Sequence, residues 1–386
     1  MKIIVLLPVL VALACANQNP PGTSSRPILT ASEANYYTKE KYLQGWSPPS
    51  ISTNHTDYTV GGGGYSTIQA AVNDAINAGG SNRKYIKINT GTYQQVVYIP
   101  NTNVPLTIYG AGSRPDNTVI TLNMPAQTTP SAYKNLVNPN DAFFKPGDPA
   151  YSIYNGCASS SGTIGTSCST VFWVLAPNVQ IVNLQIQNSA KNKGDQQAVA
   201  LQTNSDRIQV HNVNLLGHQD TLCAGSGGTD TQIAHYTNTY IEGDIDYVFG
   251  GGTAIFESCT FYSKADRKND ESVIFAPDTD PHQMYGYLVI KSTITGDSAW
   301  SSSKKVYLGR SWDAGVKSAN AYVPGTSPNG QLVIRETTIN GIVPNSAPWT
   351  TATSGRAYAG NAANSRDLNN QNFNRFWEYA NTGSGA

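Results

Sequence analysis

The chain has 386 residues, 25 Lys and Arg against 25 Asp and Glu, and only 13% charged residues. A chain without a basic excess lacks the electrostatic footprint of a nucleic-acid binder, and it does not strongly repel an acidic polymer. Beyond the N-terminus no apolar run approaches the ~18 residues of a membrane-spanning helix, so no membrane span is expected.

Met1-Lys2 precedes an apolar run from Ile3 to Ala16, and Ala14-Cys15-Ala16 has the small-x-small pattern of a cleavage site. Residues 1–16 therefore read as a signal peptide and the mature chain as secreted. The alternative is a bacterial lipoprotein anchored through Cys15, although Leu is missing three places before it. Cleavage leaves four cysteines, and an even count in an exported chain suggests two disulfides. Cys157 and Cys168 enclose a Ser/Gly-rich loop and are paired first; Cys223 with Cys259 would then link neighbouring coils. The cysteine spacings fit no zinc pattern, so no metal is expected. Asn54-His55-Thr56 is an N-glycosylation sequon.

Residues 17–60 are rich in Pro, Ser, Thr and Asn without a steady period, and read as an irregular segment laid over the body. Ser66-Thr67-Ile68-Gln69 reads as a capping box. Ile68, Ala71, Val72, Ala75 and Ile76 follow at helical spacing until Gly79-Gly80. Such a short helix would cap the open end of a stack of strands.

From Tyr85 onward short β-rich runs recur between polar loops. Val179-Gln180-Ile181-Val182-Asn183-Leu184-Gln185-Ile186 returns 29 residues later as Ile208-Gln209-Val210-His211-Asn212-Val213-Asn214-Leu215. A second version appears at Leu288–Ile294 and Leu332–Ile339. Each is a pair of apolar stretches around a polar corner, the unit of a parallel β-helix. The rival is a β-sandwich, which calls for regular two-residue hairpin turns. Only isolated Asn-Gly pairs occur, at Asn155, Asn329 and Asn340. Residues 61–386 are read as one all-β domain, and 345–386, where the repeat fades, as a tail folding back along the stack.

Four blocks carry chemistry. Asp220 lies in Gly217-His218-Gln219-Asp220-Thr221-Leu222, and Asp246 lies 26 residues later in Gly243-Asp244-Ile245-Asp246-Tyr247-Val248-Phe249-Gly250. Gln197 precedes Gln219 by 22 residues, and Arg310 stands in Leu308-Gly309-Arg310-Ser311-Trp312. In a chain that coils every 20 to 30 residues, this spacing stacks the side chains on one face. Two carboxylates on adjacent coils cannot easily both ionise, so one becomes an acid and the other a nucleophile or base.

These blocks resemble the pectin methylesterase (pectinesterase) family of carbohydrate esterases, together with Gly91-Thr92-Tyr93 upstream and Trp377-Glu378-Tyr379 near the end. The chain departs from the family pattern at Gln95, where Glu is usual, and at Ser311, where Pro is usual. The resemblance implies a right-handed parallel β-helix with a short N-terminal capping helix and a packed C-terminal tail. It also implies hydrolysis of methyl-esterified homogalacturonan to acidic pectin and methanol, by a monomer without cofactor or metal.

The expected roles follow from what an ester needs. Asp246 is the nucleophile, held ionised in an apolar frame by Arg310. Asp220 feels that charge and serves as proton donor and then base. Gln219 stabilises the oxyanion, and Gln197 contacts the substrate carbonyl and intermediate. Trp312 offers a flat face to a sugar ring, and Tyr247 and Phe249 extend it, with one of the two expected to point into the core. Thr166 stands near a substrate-binding threonine of the family. Asp244 is a rival nucleophile, and the family motif selects Asp246 over it. The other functions weighed are a pectin-depolymerising β-helix enzyme and a non-catalytic carbohydrate-binding protein on the same scaffold.

Overall fold

The computed structural model describes residues 21–191, 196–228, 230–267 and 270–386. The signal peptide read over residues 1–16, and the lipid anchor at Cys15, lie outside the described residues. Among those residues no helix is long and apolar enough to cross a membrane.

The chain winds through three parallel sheets of ten, eight and seven strands, giving one strand to each per coil. One coil is Val179–Val182, Gln185–Asn188 and Leu201–Thr203; the next is Ile208–His211, Asn214–Leu216 and Leu222–Ala224. Gln180 pairs with Gln209 and Gln185 with Asn214, the 29-residue offset read from the repeat. All pairings within these sheets are parallel, which excludes the hairpin-built sandwich. Among the described strands, only the two-residue ladder of Gly22–Thr23 with Arg26–Pro27 is antiparallel.

The polar corners have a backbone cause. Asn183, Asn212 and Asn238 adopt φ of 51°, 52° and 50° between the ten- and eight-stranded sheets. Asn tolerates this left-handed geometry better than most residues. The Asn212 amide donates to the Asn183 side chain at 2.9 Å, so each corner also fixes its neighbour. Inside, Ile181, Val210, Tyr236, Phe256, Val289 and Ile334 stack in register, all fully buried. Full burial of such a side chain is worth about 1.5–3 kcal/mol, so this ladder supplies much of the driving force.

The cap helix spans Ile68–Asn77, and its N-cap is Thr67 rather than Ser66. Thr67 Oγ1 accepts from Ala70 N at 3.0 Å. Gln69, expected to complete a box with Ser66, is instead fully buried, accepting from Tyr98 N at 2.8 Å and donating to Tyr98 O at 3.0 Å. Gln95, the departure from the family pattern, accepts from Ile68 N at 2.9 Å and so satisfies an orphan donor of the helix.

Both ends of the chain are more ordered than their composition suggests. The N-terminal segment contains the helices Ala31–Ala34 and Lys39–Leu43, and Tyr58–Val60 opens the ten-stranded sheet beside Lys84–Ile88. A boundary at residue 61 therefore cuts through the sheet. Near the C-terminus, Arg375–Tyr379 pairs with Gln331–Arg335 as the last rung, so the tail extends the stack as well as packing on it. Arg26 grips Glu378 with two 2.8 Å bonds and ties the ends together.

The Cys157–Cys168 disulfide is formed. The expected Cys223–Cys259 bridge is not, and both thiols are free. Cys223 faces outward with Val199, Phe249 and Ala276, whereas Cys259 is part of the main core. The wall of the coil stands between them, and a disulfide needs facing side chains.

Candidate active site

The outer face of the seven-stranded sheet carries a cleft of about 680 Å³. Gln197, Gln219, Asp220, Asp246, Phe249, Arg310, Trp312 and Thr166 all line it. Its position follows from local geometry. Asp220 and Asp246 are the turn residues two places before Leu222 and Val248, which pair directly on adjacent coils. Both have positive φ, 64° and 48°, a conformation that costs a non-glycine residue about 1–3 kcal/mol. The turns interlock: Asp220 N donates to Ile245 O at 3.1 Å, and Leu222 N to Tyr247 O at 2.9 Å. Each carboxylate is thereby set at the same point of successive coils.

Arg310 follows the strand Val306–Gly309, and its own N–H donates to Phe275 O at 2.9 Å. Its Nε reaches Asp246 Oδ1 at 2.8 Å and its Nη2 reaches Oδ2 at 2.6 Å. This two-point grip fixes the carboxylate's rotamer. Burial opposes the charge of Arg310, yet the Asp246 carboxylate more than offsets this and raises its pKa. Asp220 has no such cation. Burial first, and then the charge of Asp246, push its pKa well above the carboxylate range, with only partial relief from Arg310. Burial and the neighbouring charge thus favour the protonated form of Asp220, beside a carboxylate clamped by arginine.

Asp244 is removed from contention by its surroundings. It is fully buried and paired with Arg267, Nε to Oδ2 and Nη2 to Oδ1, both at 2.6 Å. Gln219 Oε1 accepts from Gln196 N at 3.2 Å, and its amide nitrogen has no acceptor among the described residues. The nitrogen is therefore the donor available to a ligand. Trp312 packs edge-on against Phe249 with centroids 5.7 Å apart, over a floor of Val199, Cys223 and Ala276. Thr166 lies at the rim in the turn Gly165–Cys168, held by the disulfide.

Tyr247 is a correction. It is fully buried in the core with its hydroxyl 3.3 Å from Ser263 Oγ, so it is no part of a sugar platform. Tyr247 and Val248 both lie in the main core and Phe249 on the outer face, so alternation holds only within the strand Val248–Gly250, and Tyr247 is the one of the two that points inward. His218 is likewise absent from the cleft lining; it contacts Asp266 at 3.0 Å and Ala190 O at 3.2 Å. Cys223, Glu271 and Thr353 do line the cleft and were not anticipated there. Cys223 had been assigned to a disulfide. Glu271 and Thr353 sit in stretches without a motif, where only the folded arrangement reveals them. A separate hollow of about 770 Å³ lies against residues 51–56 and the Asn183 and Asn212 corner, and no carboxylate lines it.

The pectinesterase family model matches residues 140–318, a span that contains every cleft residue just described except Thr353. A pectinesterase of Sitophilus oryzae is 75% identical over 386 residues, covering 100% of both chains. Pectinesterase B of Dickeya dadantii is 40% identical, covering 96% of this chain and 94% of its own. Among solved structures, the rice weevil pectin methyl esterase superposes with a TM-score of 0.93 at 76% identity, covering 96% of this chain and 100% of that one.

Proposed function

The chain belongs to the pectinesterase family and is a carboxylic ester hydrolase acting on the methyl esters of pectin; from that premise we propose that Asp246 is its nucleophile and Asp220 its proton donor and base. The observation that carries the assignment is the asymmetry of the dyad. One carboxylate is clamped by Arg310, and the other is pushed toward its protonated form by burial and by its neighbour.

An oxygen of Asp246 attacks the ester carbonyl of a galacturonate unit. The negative charge that develops on the carbonyl oxygen is met by the Gln219 amide nitrogen, with Gln197 as a second donor; neutral donors do this without quenching the nucleophile. Asp220 passes its proton to the departing methoxide, which leaves as methanol, and an acyl-enzyme anhydride remains on Asp246. Asp220, now a carboxylate, takes a proton from water as the water attacks the anhydride. The galacturonate acid is released, Asp246 is regenerated as a carboxylate, and Asp220 is protonated again. Trp312, steadied by Phe249, offers its indole face to a sugar ring, and Thr166 contacts the substrate at the rim.

The substrate is methyl-esterified homogalacturonan. All the groups the reaction uses come from one chain, which supports a monomer as the working unit. The Cys157–Cys168 disulfide supports export to an oxidising compartment. The experiment is methanol release from highly methylated pectin by the wild type and by Asp246→Asn. Release by the wild type alone, without a fall in viscosity, supports the reading. Chain cleavage without methanol would favour a depolymerase, and release by Asp246→Asn within tenfold of wild type would remove Asp246 as nucleophile.

A further inference from the structure

We propose that Glu271 is a specificity-determining residue, which favours fully esterified stretches of the polymer and turns away stretches that already carry free carboxylates. This rests on the esterase reading above and adds to it a rule for choosing the stretch attacked.

Four side chains that can carry charge line the cleft: Asp220, Asp246, Glu271 and Arg310. Arg310 is committed to Asp246 through both of its hydrogen bonds, and the two charges cancel locally. Asp220 is buried beside that pair, and burial and the Asp246 charge both disfavour its ionised form. Glu271 is half-buried in the cleft wall, and it has no hydrogen-bond or ion-pair partner among the described residues. It is close enough for its field to act on Arg310, behind the larger influence of Asp246. The remaining polar lining consists of neutral hydroxyls, amides and the Cys223 thiol. Among the described residues, then, the cleft holds one uncompensated negative charge and no free cation.

The substrate reads this directly. Every unit of the polymer bears either a neutral methyl ester or a carboxylate. Neutral amide N–H and hydroxyl groups can donate to the carbonyl oxygen of either form, so they do not turn a carboxylate away. A fixed carboxylate does discriminate, because like charges several ångströms apart in a partly solvated cleft repel each other by an amount that lowers binding about three- to tenfold. The cost falls only on units already hydrolysed. Each turnover creates one such carboxylate beside Glu271, so the repulsion also favours release of the polymer after each event. The pattern expected is scattered de-esterification of highly methylated regions rather than growth of contiguous acidic blocks.

The test compares kcat/KM for methanol release on two pectins, one of high and one of low methyl content, for wild type, Glu271→Gln and Asp116→Asn. Gln keeps the shape and removes the charge; Asp116 is an exposed residue outside the cleft lining, and its variant controls for net charge. The low-to-high ratio should rise about three- to tenfold in Glu271→Gln and stay put in Asp116→Asn. Added salt should raise the wild-type ratio by screening the repulsion and have less effect on the Glu271→Gln ratio. An unchanged ratio in Glu271→Gln overturns the proposal. So does an equal factor on both pectins, which would mean that Glu271 acts on the chemical step through Arg310. Failure of the esterase reading would show separately, as absence of methanol release by the wild type on the highly methylated pectin.

Discussion

Two outward faces of the same coil are treated in opposite ways. On the ten-stranded sheet, Ile255, Leu288 and Val333 point outward yet are fully buried, because Tyr37, Tyr42 and Trp377 lie with them in one apolar cluster. On the seven-stranded sheet, Val199, Cys223, Phe249 and Ala276 also point outward, and Trp312 alone packs over them. The first face is closed by the chain's own ends. The second stays open as a cleft edged by Asp220, Asp246 and Arg310. Apolar alternation thus marks a strand's two sides without saying whether the outer one is covered. Two charged pairs at the turn before Val248–Gly250 repeat the contrast of closed and open. Asp244–Arg267 is sealed at 0% and 1% side-chain exposure, while Asp246–Arg310, two residues on, keeps 12% and 22%.

Substitution at these paired sites sharpens the comparison most. Asp246→Asn should lower kcat by at least ~10³-fold with little change in melting temperature, since the carboxamide keeps the shape but is no nucleophile. Asp244→Asn should do the reverse and cost about 3–5 kcal/mol of stability by breaking the buried ion pair with Arg267. If Asp244→Asn folds normally and loses only activity, the division between structural and catalytic pair is wrong. Gln219→Ala should lower kcat by ~10²–10³-fold at nearly constant KM, as expected of a group that acts where charge develops.

A buried acid near the open face gives a pH test. Burial pushes Asp278 up to about 7, and its Oδ1 has no hydrogen-bond partner among the described residues. The unfolded chain would titrate it near ~4, so the folded state holds the proton more tightly. That contribution is full below about pH 4 and is lost as pH rises toward and through 7. Asp278→Asn should therefore gain stability over wild type between pH 4 and 8, by up to ~4 kcal/mol. Melting curves that stay parallel across that range would refute this.

A smaller effect is expected at Trp312. Trp312→Ala should raise KM on polymer more than it lowers kcat, because stacking serves ground and transition states alike. Loss of kcat at constant KM would instead mean that the indole positions Arg310.

How far the sequence carried these conclusions depends on distance along the chain. The coil was legible because Gln180 and Gln209 occupy one register and repeat it in their surroundings. The dyad was legible because both aspartates occupy the same turn of successive coils. Which of Tyr247 and Phe249 points inward was not legible, because Tyr247 lies just outside the strand Val248–Gly250 in which alternation holds. The Cys223–Cys259 bridge failed because spacing says which coil a cysteine is on and not which side of the wall it faces. The N-terminal helices went unseen because the apolar patch they cover lies more than two hundred residues away. Glu271 had no local signal at all, since its importance lies in what surrounds it.

The central claim is that Asp220 is a protonated acid at neutral pH beside an ionised, arginine-clamped Asp246. Infrared difference spectroscopy of wild type against Asp220→Asn at pH 7 addresses it directly. The account predicts a protonated-carboxyl C=O band in the wild type that vanishes in the variant, along with methanol release. A difference spectrum showing only loss of an ionised carboxylate would contradict it.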